Sequence, residues 1–487
     1  MSDRLHPRTS RKGTGSASPA HPVSSARAVA LRVLGDLREG RRTARQSIDA
    51  LLAEYPLEPQ DLALAHELVM GVVRHRLTLA RIVGAFATHG WKRINHRLQS
   101  ILLLAVYQIV WLDHIPAFAA VNEAVEQAKA EGGGGAARFV NGLLRQLLRE
   151  IVERRVPRAD ASPPHAVPVN RQQSCQFARA ILPDPAQKPA EHLADATSHP
   201  VWLVQRWMEA FGKAATEQIC LTGMSEPPLI VRPNTLRTTA AGLVGTLRKE
   251  GFRAERSSDD HAVHVEGERS PIRSEAFARG LFQPQDRTSM EPVLRGMPGL
   301  APGQTVIDYC AGLGTKATQM AELMRDTGRV LACEVEEPKL ATIRTNAERL
   351  GIRIVETCLT SEAPARVASL GEVDWILVDV PCSNTGVLAR RPEARYRLNV
   401  PALLSLAKLQ LSILESAAAL AGPTTRLVYS TCSIDLEENA QVVTRFLQAH
   451  PEWRLADSGF TLPDSGRAPI EWRDGGYWAR LERKGSA

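Results

Sequence analysis

Residues 305–318 read TVIDYCAGLGTKAT, and this stretch decides the fold of the C-terminal part of the chain. A short β-rich run ends at Asp308, glycines follow at positions 312 and 314, and a helical segment begins after them. Glycines at such a turn let the backbone pass close to a ligand, and the helix N-terminus beyond them favours polar or anionic groups. The stretch therefore predicts a strand, a ligand-binding loop and a helix, in that order.

Further β-rich runs alternate with helical segments along the rest of this region. They read RVLACE (329–334), WILVD (375–379) and RLVYST (426–431), with helices predicted over 338–350 and 401–420. Such alternation predicts an α/β domain with a mostly parallel sheet covered by helices. Glu334 ends the second run, where a doubly wound nucleotide fold places the acid that binds ribose hydroxyls. The glycine loop and the acid together are compatible with an adenosine-type ligand, and equally with a purely structural turn.

Two cysteines follow predicted strands of this region. Cys382 lies in DVPCSNTGV (379–387) and Cys432 lies in YSTCSIDLEEN (429–439). The carboxyl ends of parallel strands are where open α/β sheets bind ligands, so both thiols are candidates for chemistry. Cys175, Cys220, Cys333 and Cys358 are expected to be small buried residues.

The chain of 487 residues is long enough for several domains. Residues 1–23 are rich in Ser, Pro, Gly and Arg and predict a disordered basic tail. Apolar residues at helical spacing predict a helical bundle over 24–157, with its last helix at about 136–156. The prolines over 158–198 predict a linker. Residues 199–300 combine short strand patterns with a helical one and predict a small α+β module, and residues 301–487 are predicted to form the α/β domain.

Composition narrows the class of protein. A hydrophobic share of 44% and a charged share of 23% are those of a globular chain. Seven cysteines without a CxxC pair disfavour a disulfide framework and a zinc site, and the N-terminus lacks the apolar core of a secretory signal. We expect a cytoplasmic protein with no membrane anchor and no metal. The net charge of +7 suits a polyanionic partner, or simply a basic surface.

The motifs resemble two known families. The cysteine segments above, together with DYCAGLGTKAT (308–318), RRPE (390–393) and DGGYWARL (474–481), are similar to motifs of S-adenosylmethionine-dependent RNA (cytosine-C5)-methyltransferases. In the bundle, LVMGVVRHR (68–76), LLLAVYQIVWLDHIP (102–116) and FVNGLLRQLLRE (139–150) resemble the NusB-like RNA-binding domain. A NusB-like domain followed by such a methyltransferase domain resembles the bacterial RsmB/Sun family of 16S ribosomal RNA (cytosine-C5)-methyltransferases. The resemblance covers residues 24–484 apart from the linker.

The resemblance implies a Rossmann-like methyltransferase domain and a role for each site residue. Cys432 would attack C6 of a cytosine in small-subunit ribosomal RNA, Cys382 would release the product, and Asp379 would bind the cytosine ring edge. The methyl donor S-adenosylmethionine would lie against Asp379, with Glu334 on its ribose. The loop around its methionine part would comprise Cys310, Ala311, Gly312, Leu313, Gly314, Thr315 and Lys316. The enzyme would act as a monomer, without a metal or a membrane.

The sequence departs from the family at the donor site. Gly312-Leu313-Gly314-Thr315-Lys316 stands where the family usually reads Ala-Pro-Gly-Gly-Lys, and Thr360 stands where it has an acid near the adenine. Arg232 and Asn234 match an arginine-asparagine pair of its RNA-contacting module. Two alternatives stay open: the same chemistry on transfer RNA or another RNA, and an RNA-binding assembly factor whose methyltransferase site has decayed. A nicotinamide oxidoreductase lacks support because the loop is not GxGxxG.

RNA binding is expected to be mostly electrostatic, because aromatic residues make up only 5% of the chain. A solvated basic face is the alternative for about half of the candidate residues. The arginines that could follow phosphates are Arg38, Arg41, Arg42, Arg45, Arg74, Arg76, Arg145, Arg149, Arg154 and Arg155.

Overall fold

The computed structural model describes residues 26–38, 46–48, 50 and 57–485. The expected tail at 1–23 and the arginines at 41, 42 and 45 lie outside these residues. The N-terminal helices are α1 (Ala26–Arg38), α2 (Pro59–Arg74), α3 (Arg76–Phe86), α4 (His96–Trp111) and α5 (Ala117–Glu150). Their apolar faces form one buried core, to which α4 contributes an almost continuous run from Ile101 to Val110. The predicted helical bundle is therefore present.

The bundle ends earlier than the sequence predicted. The helix α5 breaks at Gly132 and Gly133 and stops at Glu150, and Ile151–Pro157 forms the strand β1. Residues 151–156 leave the helix because β1 pairs antiparallel with the strand at Gln173–Phe177, with Ile151 opposite Phe177. The expectation of a helix to position 156 was wrong because strand pairing outweighs helix propensity there.

The proline-rich segment 158–198 is folded, so the prediction of a linker was wrong. It contains β2 (Ala166–Pro168), β3 (Gln173–Phe177) and α6 (Pro189–Thr197), in a small sheet of order β1-β3-β2. Its prolines occupy positions that need no backbone donor, such as the first turn of α6. Val167, Cys175 and Phe177 are buried in the core of the bundle, which is the physical reason the segment is ordered.

The expected small α+β module is present. The strands β4 (Leu229–Pro233), β5 (Arg253–Arg256), β6 (Val263–Glu266) and β7 (Phe282–Pro284) form an antiparallel sheet of order β5-β6-β4-β7. The helices α8 (Ala240–Lys249) and α9 (Glu275–Ala278) belong to it. The helix α7 (Val201–Met224) precedes it and packs elsewhere: Leu203 and Ile219 share a buried cluster with Leu388 and Ile434 of the C-terminal domain.

The C-terminal domain is built on a sheet of seven strands: β8 (Thr305–Asp308), β9 (Arg329–Glu334), β10 (Val355–Leu359), β11 (Trp375–Asp379), β12 (Arg426–Thr431), β13 (Trp453–Thr461) and β14 (Gly476–Arg483). Their order in the sheet is β10-β9-β8-β11-β12-β14-β13. The first five of these are parallel to one another, and β14 runs antiparallel to both of its neighbours, β12 and β13. The strand order reverses at β8, so a ligand crevice is expected at the carboxyl ends of β8 and β11.

Helices cover both faces of this sheet, as the alternating pattern predicted. They are α10 (Arg287–Leu294), α11 (Thr315–Leu323), α12 (Glu337–Leu350), α13 (Ala363–Leu370), α14 (Val400–Ala418) and α15 (Ala440–Ala449). In the described part of the chain, α14 alone has the length and apolar composition of a membrane-crossing helix. Its Ala407 and Leu414 are buried in the same cluster as strand residues of the sheet, as in the core helix of an α/β domain.

Candidate active site

Strand register brings the predicted site residues to one edge of the sheet. Asp308, Glu334, Asp379 and Thr431 are the last residues of β8, β9, β11 and β12. Asp379 pairs with Ser430 across neighbouring parallel strands, and Cys432 follows one residue after the end of β12. Residues separated by more than a hundred positions therefore meet at the carboxyl edge of the sheet.

The glycine loop closes over the end of β9. The backbone N–H of Gly312 donates to Oε2 of Glu334 at 3.0 Å, and the N–H of Val335 donates to Oε1 at 2.9 Å. Gly314 has a φ of 79°, and a Cβ there would lie 2.9 Å from the side chain of Ile343. Glycine is required at that position, because the backbone conformation and the contact with α12 both exclude a side chain.

Lys316 connects this loop to the end of β11. Its Nζ lies 2.6 Å from Oδ2 of Asp379, whose Oδ1 accepts a hydrogen bond from the Ser430 hydroxyl at 2.6 Å. Burial opposes the charge of Lys316, but the nearby Asp379, Asp308 and Cys432 raise its pKa overall. The lysine that the sequence assigned only to the loop therefore pairs with the carboxylate predicted to bind the cytosine.

Asp308 is a buried carboxyl group beneath this pair. Neither carboxylate oxygen has a hydrogen-bond partner of ordinary geometry, although the amides of Cys310 and Ala317 face it. Burial, together with the charge of Asp379, raises the pKa of Asp308 to about 7. Burial also raises the pKa of the half-buried Cys310 thiol, to which the Asp308 charge adds.

The two predicted cysteines are in contact. Their Sγ atoms lie 3.1 Å apart, and Cys432 Sγ also lies 3.5 Å from Oδ1 of Asn384. The hydrogen bond to Cys432 raises the pKa of Cys382 well above that of a free thiol, and burial adds to the shift. An ionised Cys432 can therefore accept a hydrogen bond from a neutral Cys382.

A buried polar network holds the two cysteine loops together. The Ser383 hydroxyl contacts the Ser433 hydroxyl at 3.1 Å, and the Thr385 hydroxyl donates to Oδ2 of Asp435 at 2.7 Å. The N–H of Ser383 donates to Oε1 of Glu438 at 2.8 Å. Burial raises the pKa of Asp435 to about 6, although the hydrogen bond from Thr385 acts to lower it. These contacts fix the separation of the cysteines.

Glycines bring a third loop against the same pair. The N–H of Gly386 donates to the carbonyl of Cys432 at 3.0 Å, and the N–H of Gly475 donates to the carbonyl of Gly386 at 2.7 Å. A Cβ on Gly386 would lie 2.4 Å from the carbonyl oxygen of Gly475. The DGGYWARL segment is thereby part of the site, beside a cleft whose lining includes Thr288, Lys316, Asp379, Cys432 and Tyr477.

The donor-site residues fit an S-adenosylmethionine ligand at its ribose and methionine parts. Glu334 presents a carboxylate directly beneath the loop, and Asp308 is a buried acceptor without a partner. Leu313 in the glycine loop and Val335, the residue after Glu334, are exposed apolar side chains, at 53% and 74% exposure, and offer contact to an aromatic base. Thr360, which directly follows β10, supplies a hydroxyl where the family has an acid.

Both residues of the arginine-asparagine pair in the small module are buried. Arg232 is buried and binds Glu322 through two nitrogens at 2.8 and 3.0 Å, while its Nη1 donates to the carbonyl of Thr315. The amide of Asn234 donates to the carbonyls of Gly280 and Leu350. Both residues attach the module to the C-terminal domain, and Arg232 supports the donor loop.

Several of the candidate RNA-binding arginines are also committed to protein contacts. Arg74 is buried and donates to the carbonyl of Ala389, while Arg154 and Arg155 pair with Asp113. Arg76, Arg145 and Arg149 are exposed, which leaves these three as candidates. The side chain of Arg38 lies outside the described residues.

Sequence reasoning missed the residues that support the cysteines. Asn384, Asp435 and Glu438 lie within the quoted motifs, and Asp474, the first residue of the third loop, lies 2.5 Å from Arg390, which also pairs with Asp286 at 3.1 Å. Their signal was the presence of polar residues next to cysteines, which does not distinguish a surface loop from a buried network. Among the described residues, no group of three or more His, Cys, Asp or Glu could hold a metal ion.

Fold and site together define a Rossmann-like methyltransferase with helical and ferredoxin-like domains before it. Residues 299–469 match the family described as 16S rRNA methyltransferase RsmB/F. Residues 24–149 match the NusB family, and residues 199–271 match the ferredoxin-like domain of RsmF/B-type methyltransferases.

Curated relatives agree along most of the chain. A Bacillus subtilis protein, "Probable ribosomal RNA small subunit methyltransferase B", is 32% identical over 88% of this chain and 90% of its own. The Salmonella arizonae protein "Ribosomal RNA small subunit methyltransferase B" is 29% identical over 87% and 91%. The chain belongs to the ribosomal RNA small subunit methyltransferase B family.

Solved structures support the fold. One crystal structure covers 96% of this chain and 100% of its own with a TM-score of 0.70 at 23% identity. A methyltransferase homologue from Pyrococcus horikoshii covers 62% of this chain and 99% of its own, with a TM-score of 0.50 at 24% identity.

Proposed function

We propose that this protein transfers a methyl group from S-adenosylmethionine to C5 of a cytosine in small-subunit ribosomal RNA, through a covalent bond between Cys432 and C6. The target that we propose, from the sequence resemblance alone, is cytosine 967. The enzyme works in the cytoplasm as a monomer, without a metal. The observation that carries the proposal is the contact between the two thiols at 3.1 Å, beside the Lys316–Asp379 pair.

The chemistry explains why a cysteine must stand at position 432. C5 of cytosine is a poor nucleophile until a group adds at C6, and a thiolate both adds and leaves well. As the Cys432 thiolate adds to C6, electrons move toward N3, and N3 takes up a proton. Asp379 can stabilise this state by accepting a hydrogen bond from the N3–H group. Lys316 holds the carboxylate of Asp379 in place at 2.6 Å. When bound, S-adenosylmethionine supplies an electrophilic methyl group for C5.

The second cysteine belongs to the release of the product. After methylation C5 carries both the methyl group and its original hydrogen. A base accepts that proton, its electron pair restores the C5–C6 double bond as the bond from C6 to sulfur breaks, and Cys432 leaves as a thiolate. The proton that N3 took up during the addition returns to solvent. Cys382 lies beside Cys432 and is the side chain we assign to this elimination.

The covalent adduct is the test of this mechanism. We expect Cys382→Ala, mixed with S-adenosylmethionine and unmodified small-subunit ribosomal RNA, to form a protein–RNA adduct that survives denaturation. Adding Cys432→Ala should abolish the adduct. No adduct, together with no methyl transfer by the wild-type chain, would contradict the two-cysteine mechanism and favour a binding factor with a decayed site. An adduct with transfer RNA but not with ribosomal RNA would instead change the assigned substrate.

A further inference from the structure

Two thiols in contact are chemically equal unless their surroundings differ, and here the surroundings differ in charge. Lys316 lies on the side of Cys432 and interacts electrostatically with it. Glu438 lies on the other side, where its Oε1 accepts a hydrogen bond from the N–H of Ser383, the residue after Cys382, at 2.8 Å. The cysteine pair therefore lies between a cation and a buried carboxylate.

Glu438 is an unusual group to bury. Its side chain is fully inaccessible to solvent, and the groups that donate to it are neutral: the Ser383 N–H, the Ser383 hydroxyl and the Gln410 amide, the last at 2.8 Å. No lysine or arginine of the described residues forms an ion pair with it. A buried charge without a counterion costs free energy, and its field is felt strongly by neighbouring groups because little water screens it.

The electrostatic field of the Glu438 carboxylate acts on the thiol of Cys382. The charge of Glu438 adds to the contact with Cys432 and to burial in raising the pKa of Cys382. The other ionisable groups near the pair are Tyr429, Asp379 and Lys316. Of these, Tyr429 is buried and its pKa is raised, first by burial and then by Cys382 and Glu438, so it is neutral.

We propose that Glu438 is a positioning residue that keeps the shared proton of the cysteine pair on Cys382 and leaves the thiolate on Cys432. This inference rests on the proposed function for its meaning, because it explains which thiol attacks. The carboxylate opposes a second negative charge on its own side, while Lys316 accommodates one on the side of Cys432. The neutral Cys382 thiol, 3.1 Å away, then donates a hydrogen bond to the thiolate.

Alkylation of the two thiols measures this distribution directly. The full-length protein is treated with iodoacetamide across a range of pH, without RNA or methyl donor, and each cysteine is quantified by peptide mass spectrometry. In the wild type, Cys432 should react faster than Cys382 at neutral pH. In Glu438→Gln, the ratio of the two rates should fall roughly tenfold, the effect of one pKa unit. The profile of Cys382 should move to lower pH.

Two variants separate charge from packing. Glu438→Asp keeps the charge at a slightly greater distance and should give a ratio between those of the wild type and Glu438→Gln. Asp457→Asn removes a carboxylate from an exposed position on β13, outside the network that holds the cysteine loops. Its ratio should match that of the wild type.

Three results would overturn the inference: an unchanged ratio in folded Glu438→Gln, an equal fall in Asp457→Asn, or a wild type in which Cys382 reacts as fast as Cys432. The last needs no variant, so it applies even if Glu438→Gln does not fold. The assay uses neither RNA nor methyl donor. If Glu438→Gln shifts the alkylation ratio but no protein–RNA adduct forms, this inference stands and the proposed function is rejected. If the adduct forms but the ratio does not shift, the proposed function stands and this inference is rejected.

Discussion

Replacing Asp308 by Asn should make the protein more stable at alkaline pH, relative to the wild type, than at acidic pH. Asp308 is 1% exposed, and burial followed by the charge of Asp379 raises its pKa from 3.8 to about 7. A carboxyl group with a raised pKa takes up a proton on folding. Its favourable contribution is complete below the unfolded pKa and is lost as the pH rises through about 7.

The size of the effect follows from the two pKa values. With pKa values of about 7 folded and 3.8 unfolded, linkage gives a contribution of about 2 kcal/mol at roughly pH 5.5 and almost none at roughly pH 8.5. The amide of Asp308→Asn does not titrate and lacks this dependence. The difference in free energy of unfolding, variant minus wild type, should therefore rise by about 2 kcal/mol between these pH values.

Urea unfolding at the two pH values, followed by tryptophan fluorescence, measures this difference. Asp457→Asn is the control for the same replacement at an exposed position on β13. A difference for Asp308→Asn that stays constant, or that falls toward alkaline pH, would refute the reasoning. In that case Lys316 would have to hold Asp308 ionised in the folded protein.

Two more predictions concern the attachment of the domains and the loops of the site. Arg232→Met should leave Glu322 buried and unpaired, cost about 3–5 kcal/mol and lower the thermal midpoint by roughly 10 °C. The exposed Arg145→Met should change the free energy of unfolding by about 0.5 kcal/mol at most, and equal midpoints for the two variants would contradict the assignment. Gly386→Ala should abolish adduct formation in the Cys382→Ala background, because its Cβ would lie 2.4 Å from the carbonyl oxygen of Gly475. Gly245→Ala, in a helix where a Cβ meets nothing within 4 Å, should leave the adduct unchanged, and an adduct of normal yield in Gly386→Ala would show that the loops can separate.

The short-range pattern of the sequence predicted much of the fold. The stretch 305–318 does form a strand, a glycine loop and a helix, and the alternation after it does form a largely parallel sheet. These features depend on neighbours within a few residues, which is why they can be read from the chain. The error at 151–156 arises from pairing between β1 and β3, and the error at 158–198 arises from burial of that segment's apolar side chains in the core of the bundle. Both depend on contacts between distant residues, which local propensity does not encode.

The candidate site likewise has features that the local sequence predicts and features that depend on contacts between distant residues. Residue types and their spacing were enough to select the candidates for the chemistry, because thiols, an acid at a strand end and a glycine loop are recognisable in the chain. Only the tertiary structure decided what surrounds them. It turned Arg232 inward to Glu322, paired Lys316 with Asp379, and buried Glu438 beside the loop of Cys382. Burial and charge depend on contacts between distant segments, and those contacts exist only once the chain has folded.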